Sequence, residues 1–438
     1  VRVNPASAPV AESERIGLLD FLRGVAILGI LTVNVFSFGL PALGYFAPYA
    51  WGENTTADEI AFSVSVFLFQ QKMYPLLAFL FGVGIYLIAE KEERGGRRST
   101  GVYLRRMGLL VCMGLLHAVL LWHGDILVWY SCAGLVAYLM RHLSTRLLLI
   151  IAIFLTWGIS LFCCGPLIGM MGAFPERTMP YLEVFQQHPA NPSDAIQYIG
   201  RPYHVNYQYL SSHLMQSPKS TALEAHYYMD GSWLDLLPIR LRMYINTAFS
   251  AVKMFIPLLI GIMSFGILAG RFGVLAGAKT TASRRSKWVA VILGLLIGLP
   301  LCAVGLWLVW IKNPAALYGS MTLTMIGGPL VAGLYIVLLS AFYSSAVGKA
   351  FAYPVECVGR MALSNYIGQT IVFVTIFHNW GLGWFGELGY AQLSSLVVVS
   401  WLVQGILSML WLRFFQFGPL EWFWRSATYL RFQPLLRR

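Results

Sequence analysis

The chain has 438 residues, of which 58% are hydrophobic and only 11% charged, with a mean hydropathy of +0.66. Soluble domains carry roughly twice that charge fraction, so a soluble globular enzyme is excluded. The net charge of +12 is spread over short loops and never gathers into a basic stripe with interleaved aromatics, which sets nucleic acid aside.

The first 14 residues form a polar tail rich in Ala, Pro and Ser, and no small-residue cleavage site follows, so a retained first span is expected. Apolar runs then recur at close to the ~20 residues that cross a ~30 Å bilayer core. They predict ten spans, at 19–40, 73–89, 107–121, 126–140, 147–171, 244–270, 288–311, 321–343, 361–380 and 391–412. The third and fourth flank a tight turn, His123-Gly124-Asp125, and read as a helical hairpin.

Loop charges set the direction. Arg94, Arg97, Arg98, Arg105, Arg106, Arg141, Arg146, Lys279, Arg284, Arg285, Lys287, Lys349, Arg360 and Arg413 fall in alternate loops, on the side of the N-terminus. The opposite loops carry Glu53, Asp58, Glu59, Asp125 and Glu387. Lys and Arg are retained on the cytoplasmic side, so both termini are expected in the cytoplasm. The expectation is an all-α polytopic membrane protein with about ten transmembrane helices. A polar tail (1–14) precedes an N-terminal bundle (15–171), a long extracytoplasmic loop or lid (172–241) and a C-terminal bundle (242–438) that ends in an interfacial helix.

The 172–241 loop holds His188, His204, His213 and His226 without metal-ligand spacing, and many tyrosines that can pack on the membrane boundary. A lid over an outward-facing site and a passive cap are both open. The six cysteines, Cys112, Cys132, Cys163, Cys164, Cys302 and Cys357, sit in or beside apolar runs and read as small core residues. Neither a bound metal nor a tightly held cofactor is expected.

Polar groups inside spans carry the functional signal, because each costs ~2.5–3.5 kcal/mol at the bilayer centre unless paired. Asp20 and Arg23 share a face of span one, either as a self-neutralising interfacial pair or as a cytoplasmic site for an anion. Asn34 lies about three turns beyond Arg23. Lys72, after Gln70 and Gln71, stands before span two at the outer edge, where an amine can snorkel. Gly82 and Gly84 let a neighbouring helix approach. His117 lies inside span three, either as a satisfied core histidine or as a general base oriented by a carboxylate. Asp125 precedes span four, as an N-cap or as that carboxylate. Asn365 and Gln369 share a face of span nine, for interhelical hydrogen bonds or a polar cavity. Glu421 and Arg425 mark an interfacial amphipathic helix.

RIGLLDFLRGVAILGILTVN at Arg15–Asn34, LLAFLFGVG at Leu76–Gly84 and GLLHAVLLWHGDILVWY at Gly114–Tyr130 resemble the bacterial YeiB family. So do GRMALSNYIGQ at Gly359–Gln369, GLGWFG at Gly381–Gly386 and FGPLEWFWRSATY at Phe417–Tyr429. That family's C-terminal part is a domain named only as being of unknown function. The Arg–x4–Asp–x2–Arg-Gly opening (Arg15, Asp20, Arg23, Gly24) also resembles transmembrane acyltransferases, which pass an acyl group from cytoplasmic acyl-CoA to an acceptor across the membrane. This second resemblance implies substrate-binding roles for Arg15, Asp20 and Arg23. Asn34 stands where the O-acyltransferases carry a histidine, so catalysis by that residue does not carry over, and His117 with Asp125 becomes the substitute pair. The functional expectation is acyl transfer from acyl-CoA to an outer hydroxyl or amine. Lys72, Asn34, Asn365 and Gln369 join the substrate-facing set, in a multi-pass protein of the bacterial plasma (inner) membrane. A small-solute transporter or a non-catalytic scaffold are the alternatives, and a homo-oligomer is left open.

Overall fold

The structure, a computed structural model, describes residues 16–51, 54–95, 100–158, 161, 218–275, 280–312 and 314–437. Arg15, the polar tail, loop residues 172–217 with three of its histidines, and Cys163 and Cys164 lie outside them. The described residues form helices and no strand, apart from one isolated bridge between Phe415 and Leu436. The chain is a multi-span helical membrane protein.

In chain order the helices are α1 (Gly17–Gly39), α2 (Thr56–Leu68), α3 (Met73–Gly95), α4 (Thr100–Leu120), α5 (Leu127–Met140) and α6 (Thr145–Gly158). After the loop come α7 (Pro218–Asp230), α8 (Trp233–Arg271), α9 (Thr281–Val309), α10 (Pro314–Ser344), α11 (Ala346–Arg360), α12 (Ala362–Phe377), α13 (Tyr390–Phe414) and α14 (Pro419–Tyr429). Among the described residues seven stretches are long and apolar enough to cross a membrane by length and composition, and the shorter apolar helices α5, α6 and α12 stand where the fourth, fifth and ninth spans are expected.

Three helices depart from the expectation. The second span does not start at 73: α2 and α3 form one apolar stretch, Thr56–Lys91, broken at Phe69–Lys72, where Gln71 takes a left-handed φ of 61°. Thr55 and Asp58 cap α2 reciprocally, which fixes its start. α7 and the first turns of α8 fill the end of the predicted loop. α11, capped by Ser345, replaces a predicted short connection. One face of α11 packs on α1 while Val347, Phe351 and Tyr353 point outward, and this period-3.6 pattern does not register as an apolar run.

Two seams draw the bundle together. Gly24 of α1 lies against Val355 O, and Gly359 lies against Asp20 O, with no room for a Cβ at either. Gly82 of α3 lies against Met263 O and Gly266 of α8 against Phe79 O in the same way. Such backbone contact substitutes for the hydrophobic drive that lipid cannot supply between spans. Gly84, expected to share this role, faces open space. An aromatic core of Phe36, Phe38, Phe62, Phe373, Phe377 and Tyr390 fills the end of the bundle away from the N-terminus of α1. That end is called the loop end below, and the opposite one the basic end.

Candidate functional site

The polar groups fall into three layers along α12. At the basic end, Glu421 of α14 is buried and turns to the start of α12. Its Oε1 accepts from Leu363 N at 2.7 Å and Ser364 N at 3.1 Å, and its Oε2 from the Ser364 hydroxyl at 2.6 Å. A carboxylate on free helix N–H groups is where the helix dipole favours it. Glu421 is therefore a cap, and its partner on the helix face, Arg425, lies instead over the Phe417 ring at 4.7 Å. Burial, with the nearby Arg106 and Arg23 charges, pulls Arg425 down to about 10.

Around this cap arginines gather. Arg23 pairs with Asp20 at 2.6 Å, half-exposed. Arg106 lies over the Trp424 ring at 4.3 Å, whose Nε1 donates to Arg106 O. Arg105 donates to Thr428 O. These guanidiniums have rings and carbonyls as partners more than carboxylates, so the cluster keeps a net positive field that suits an anionic headgroup. At the same end a cleft of about 270 Å³ opens between Ile16 and Leu19, Tyr86 and Glu90, and Arg271 and Phe272.

The middle layer holds Asn365 and Gln369. Asn365 Nδ2 donates to Val358 O and to Ser408 Oγ, and Gln369 Nε2 to Ile27 O and Gln404 Oε1. Of the two expected roles these bonds match the interhelical one. Lys72 is also displaced from its expected place. It does not snorkel at an edge but is fully buried in the α2–α3 break, its Nζ on Val66 O at 3.0 Å. The break frees that carbonyl from the helix ladder, and the amine satisfies it.

The third layer holds His117 and Asp125. His117 sits in the last turn of α4, 2% exposed, and Asp125, 2% exposed, in the turn before α5. The turn brings them together: His117 Nδ1 lies 3.1 Å from Asp125 Oδ1. Asp125 Oδ2 accepts from Val128 N at 2.9 Å. The cap and the orienter are thus one residue, with one oxygen for each task. Nε2 lies 2.9 Å from the Thr370 hydroxyl, which also lies 3.4 Å from Tyr366 O. Thr370, on α12, was missed in the sequence, where it follows Gln369 as an ordinary polar residue. Tyr366 closes the pocket with its ring 5.2 Å from the imidazole. Asn34 stands one turn before Phe38 on α1, and the Phe38 ring is 4.5 Å from Trp122, the residue that meets His117 edge-on.

A carboxylate, an imidazole and a hydroxyl in hydrogen-bonded sequence are a geometry that can serve acid–base chemistry, recognised by its arrangement rather than its order in the chain. Here its members come from α4, the turn before α5, and α12. A model for a protein family of unknown function, DUF418, matches residues 269–431. Over its whole length the chain resembles the uncharacterized protein YxaH of Bacillus subtilis, 32% identical over 98% of both chains. The uncharacterized protein YeiB of Escherichia coli is 29% identical over 95% of this chain and 96% of its own. An uncharacterized 39.9 kDa protein encoded in the amylase 3' region of Bacillus acidopullulyticus is 25% identical over 98% of both. The chain belongs to this YeiB/YxaH family of bacterial membrane proteins.

Proposed function

We propose that the protein is a transmembrane acyltransferase of the bacterial plasma (inner) membrane, with ten spans and both termini in the cytoplasm. The observation that carries this reading is the Asp125–His117–Thr370 relay in the membrane interior. The donor is acyl-CoA, its phosphates at the Arg23, Arg105 and Arg106 cluster. From Arg106 to His117 is about 16 Å along α4, at 1.5 Å per residue, a distance for an extended pantetheine arm to cross. Thr370 marks where a hydroxyl is held against the base, and the acceptor's hydroxyl or amine takes that place.

In the reaction His117 Nε2 removes the acceptor proton as the acceptor oxygen or nitrogen attacks the thioester carbonyl. The C–S bond then breaks, and the imidazolium returns the proton to the leaving thiolate, giving acylated acceptor and free CoA. Asp125 holds the imidazole in the required tautomer and stabilises its charged form. The Arg–x4–Asp–x2–Arg-Gly opening of the chain supports the donor side. The amides of Asn365 and Gln369, engaged with neighbouring helices, lend little to a solute pathway.

The test is release of CoA from acetyl-CoA by the full chain in detergent, followed with a thiol reagent. His117→Ala is expected to lower turnover by ~10²–10⁴-fold while the protein remains folded. Turnover absent in the wild type, or equal in the variant, overturns the reading.

A further inference from the structure

At the loop end of the bundle, several buried nitrogens have no partner among the described residues. Arg240, near the start of α8, is fully buried. One terminal nitrogen donates to Leu120 O at 3.0 Å, the other lies 3.3 Å from His378 Nδ1, and Nε has no partner. Trp122, in the turn after α4, is 4% exposed and its Nε1 has no partner. The Nδ1 of its neighbour His123 is likewise sealed from solvent without one.

No carboxylate among the described residues lies within salt-bridge distance of Arg240. Of the described acids around this layer, Glu224 of α7 accepts from Ala42 N at 3.0 Å, and Asp125, in the same turn as Trp122 and His123, is engaged with His117 and Val128 N. Tyr228 of α7 covers the cluster, its ring 4.7 Å from His378 and 4.7 Å from Phe385. Burial and the Arg240 charge hold His123 down at about 4, so its ring is neutral. No charged side chain among the described residues hydrogen-bonds to the guanidinium.

A buried cation keeps its charge only with a counter-charge or a full set of acceptors, and among the described residues Arg240 has neither. We propose that Arg240, Trp122 and His123 form a binding site for a compact oxyanion, a carboxylate or a phosphate monoester, beneath the α7 cover. The planar guanidinium presents its Nε–H and a terminal N–H as a fork matched to two oxygens of such a group. The indole N–H and the His123 ring supply the contacts beside it. Helix α7, which carries both Tyr228 and the Glu224 contact to Ala42, is the element that must lift for entry. Trp122 meets the His117 ring edge-on at 6.4 Å, so a molecule anchored here by its anion reaches toward the base. That use rests on the acyl-transfer reading; the site itself does not.

The probes are sodium phosphate, sodium acetate and a short-chain phosphatidic acid, each titrated calorimetrically into the full chain in a non-ionic detergent without acyl-CoA. Saturable binding of phosphate or acetate, at least tenfold weaker in Arg240→Gln and several-fold weaker in Trp122→Phe, supports a site for a soluble anion. Binding of phosphatidic acid alone, with the same losses, supports the site with a lipid headgroup as its source. Trp122→Phe keeps the ring and decides the matter if Arg240→Gln does not fold. No saturable binding of any of the three, or equal binding in wild type and variants, overturns the proposal. Since CoA release is measured separately, a failure there and a failure here are distinguishable.

Discussion

The two ends of α12 meet the same problem with opposite results. At the basic end, the Glu421 carboxylate receives three donors that burial would otherwise strand. At the loop end, Arg240 Nε, Trp122 Nε1 and His123 Nδ1 are buried without a partner, and among the described residues no carboxylate bonds to the guanidinium. A polar group complete in itself holds the bundle, and the incomplete set is the one proposed above to take an anion.

The comparison breaks most directly at Glu421. Glu421→Ala strands two backbone N–H groups and a hydroxyl in an apolar layer, at about 1–3 kcal/mol for each buried group left unsatisfied. The largest loss of thermal stability in detergent is expected here, with Glu421→Gln recovering part of it. A shift below one degree would show that the start of α12 finds water instead. Gly82→Leu comes next. It forces α3 off Met263 O, and overpacking of this kind costs about 1–3 kcal/mol or more; Gly84→Leu, in open space, should leave the melting temperature almost unchanged.

At the other end the sharpening variable is pH. Burial pushes the Glu224 carboxyl from 4.5 up to about 7. A folded value above the unfolded one makes its contribution fully present below pH 4.5 and lost as pH rises through 7. Helix α7 should therefore be held more firmly at pH 5 than at pH 8. Hydrogen exchange in α7, corrected for the intrinsic rate, checks this, and Glu224→Gln should remove the difference. Asp125→Asn keeps an oxygen for Val128 N, so it is expected to leave the start of α5 nearly as stable while cutting CoA release. The smallest effect belongs to Asp20→Asn. A half-exposed pair contributes about 0–1 kcal/mol, so a modest rise in the KM for acyl-CoA is expected without a change in melting temperature.

The spans were legible because a run of apolar residues is a local property. So was the pairing of His117 with Asp125, since a short turn leaves them little choice. What escaped depends on distant segments. Glu421 has a helical neighbour in Arg425, and nothing in the sequence says that it will cap a helix whose start is nearly sixty residues earlier. Lys72 follows two glutamines and so resembles an edge; only the apolar run of α2 before it shows that the chain is already inside a span. Arg240 fell at the margin of the predicted loop. The stretch LLPIRLRMY around it is apolar enough to extend span six, and that extension would have flagged a buried arginine. Thr370 gave no signal, because a threonine in a span usually bonds back to its own helix.

Because α4, the turn before α5, and α12 each supply one of the three groups, the imidazole also works as a gauge of their separation. Any occupant that wedges α12 outward lengthens the Nε2 contact first, while the Nδ1 contact, made across a short turn, stays nearly fixed. The nitrogen resonances of His117 would then shift unequally. Rearrangement of the bundle could thus be followed from within the membrane, on a label already present and with no probe attached.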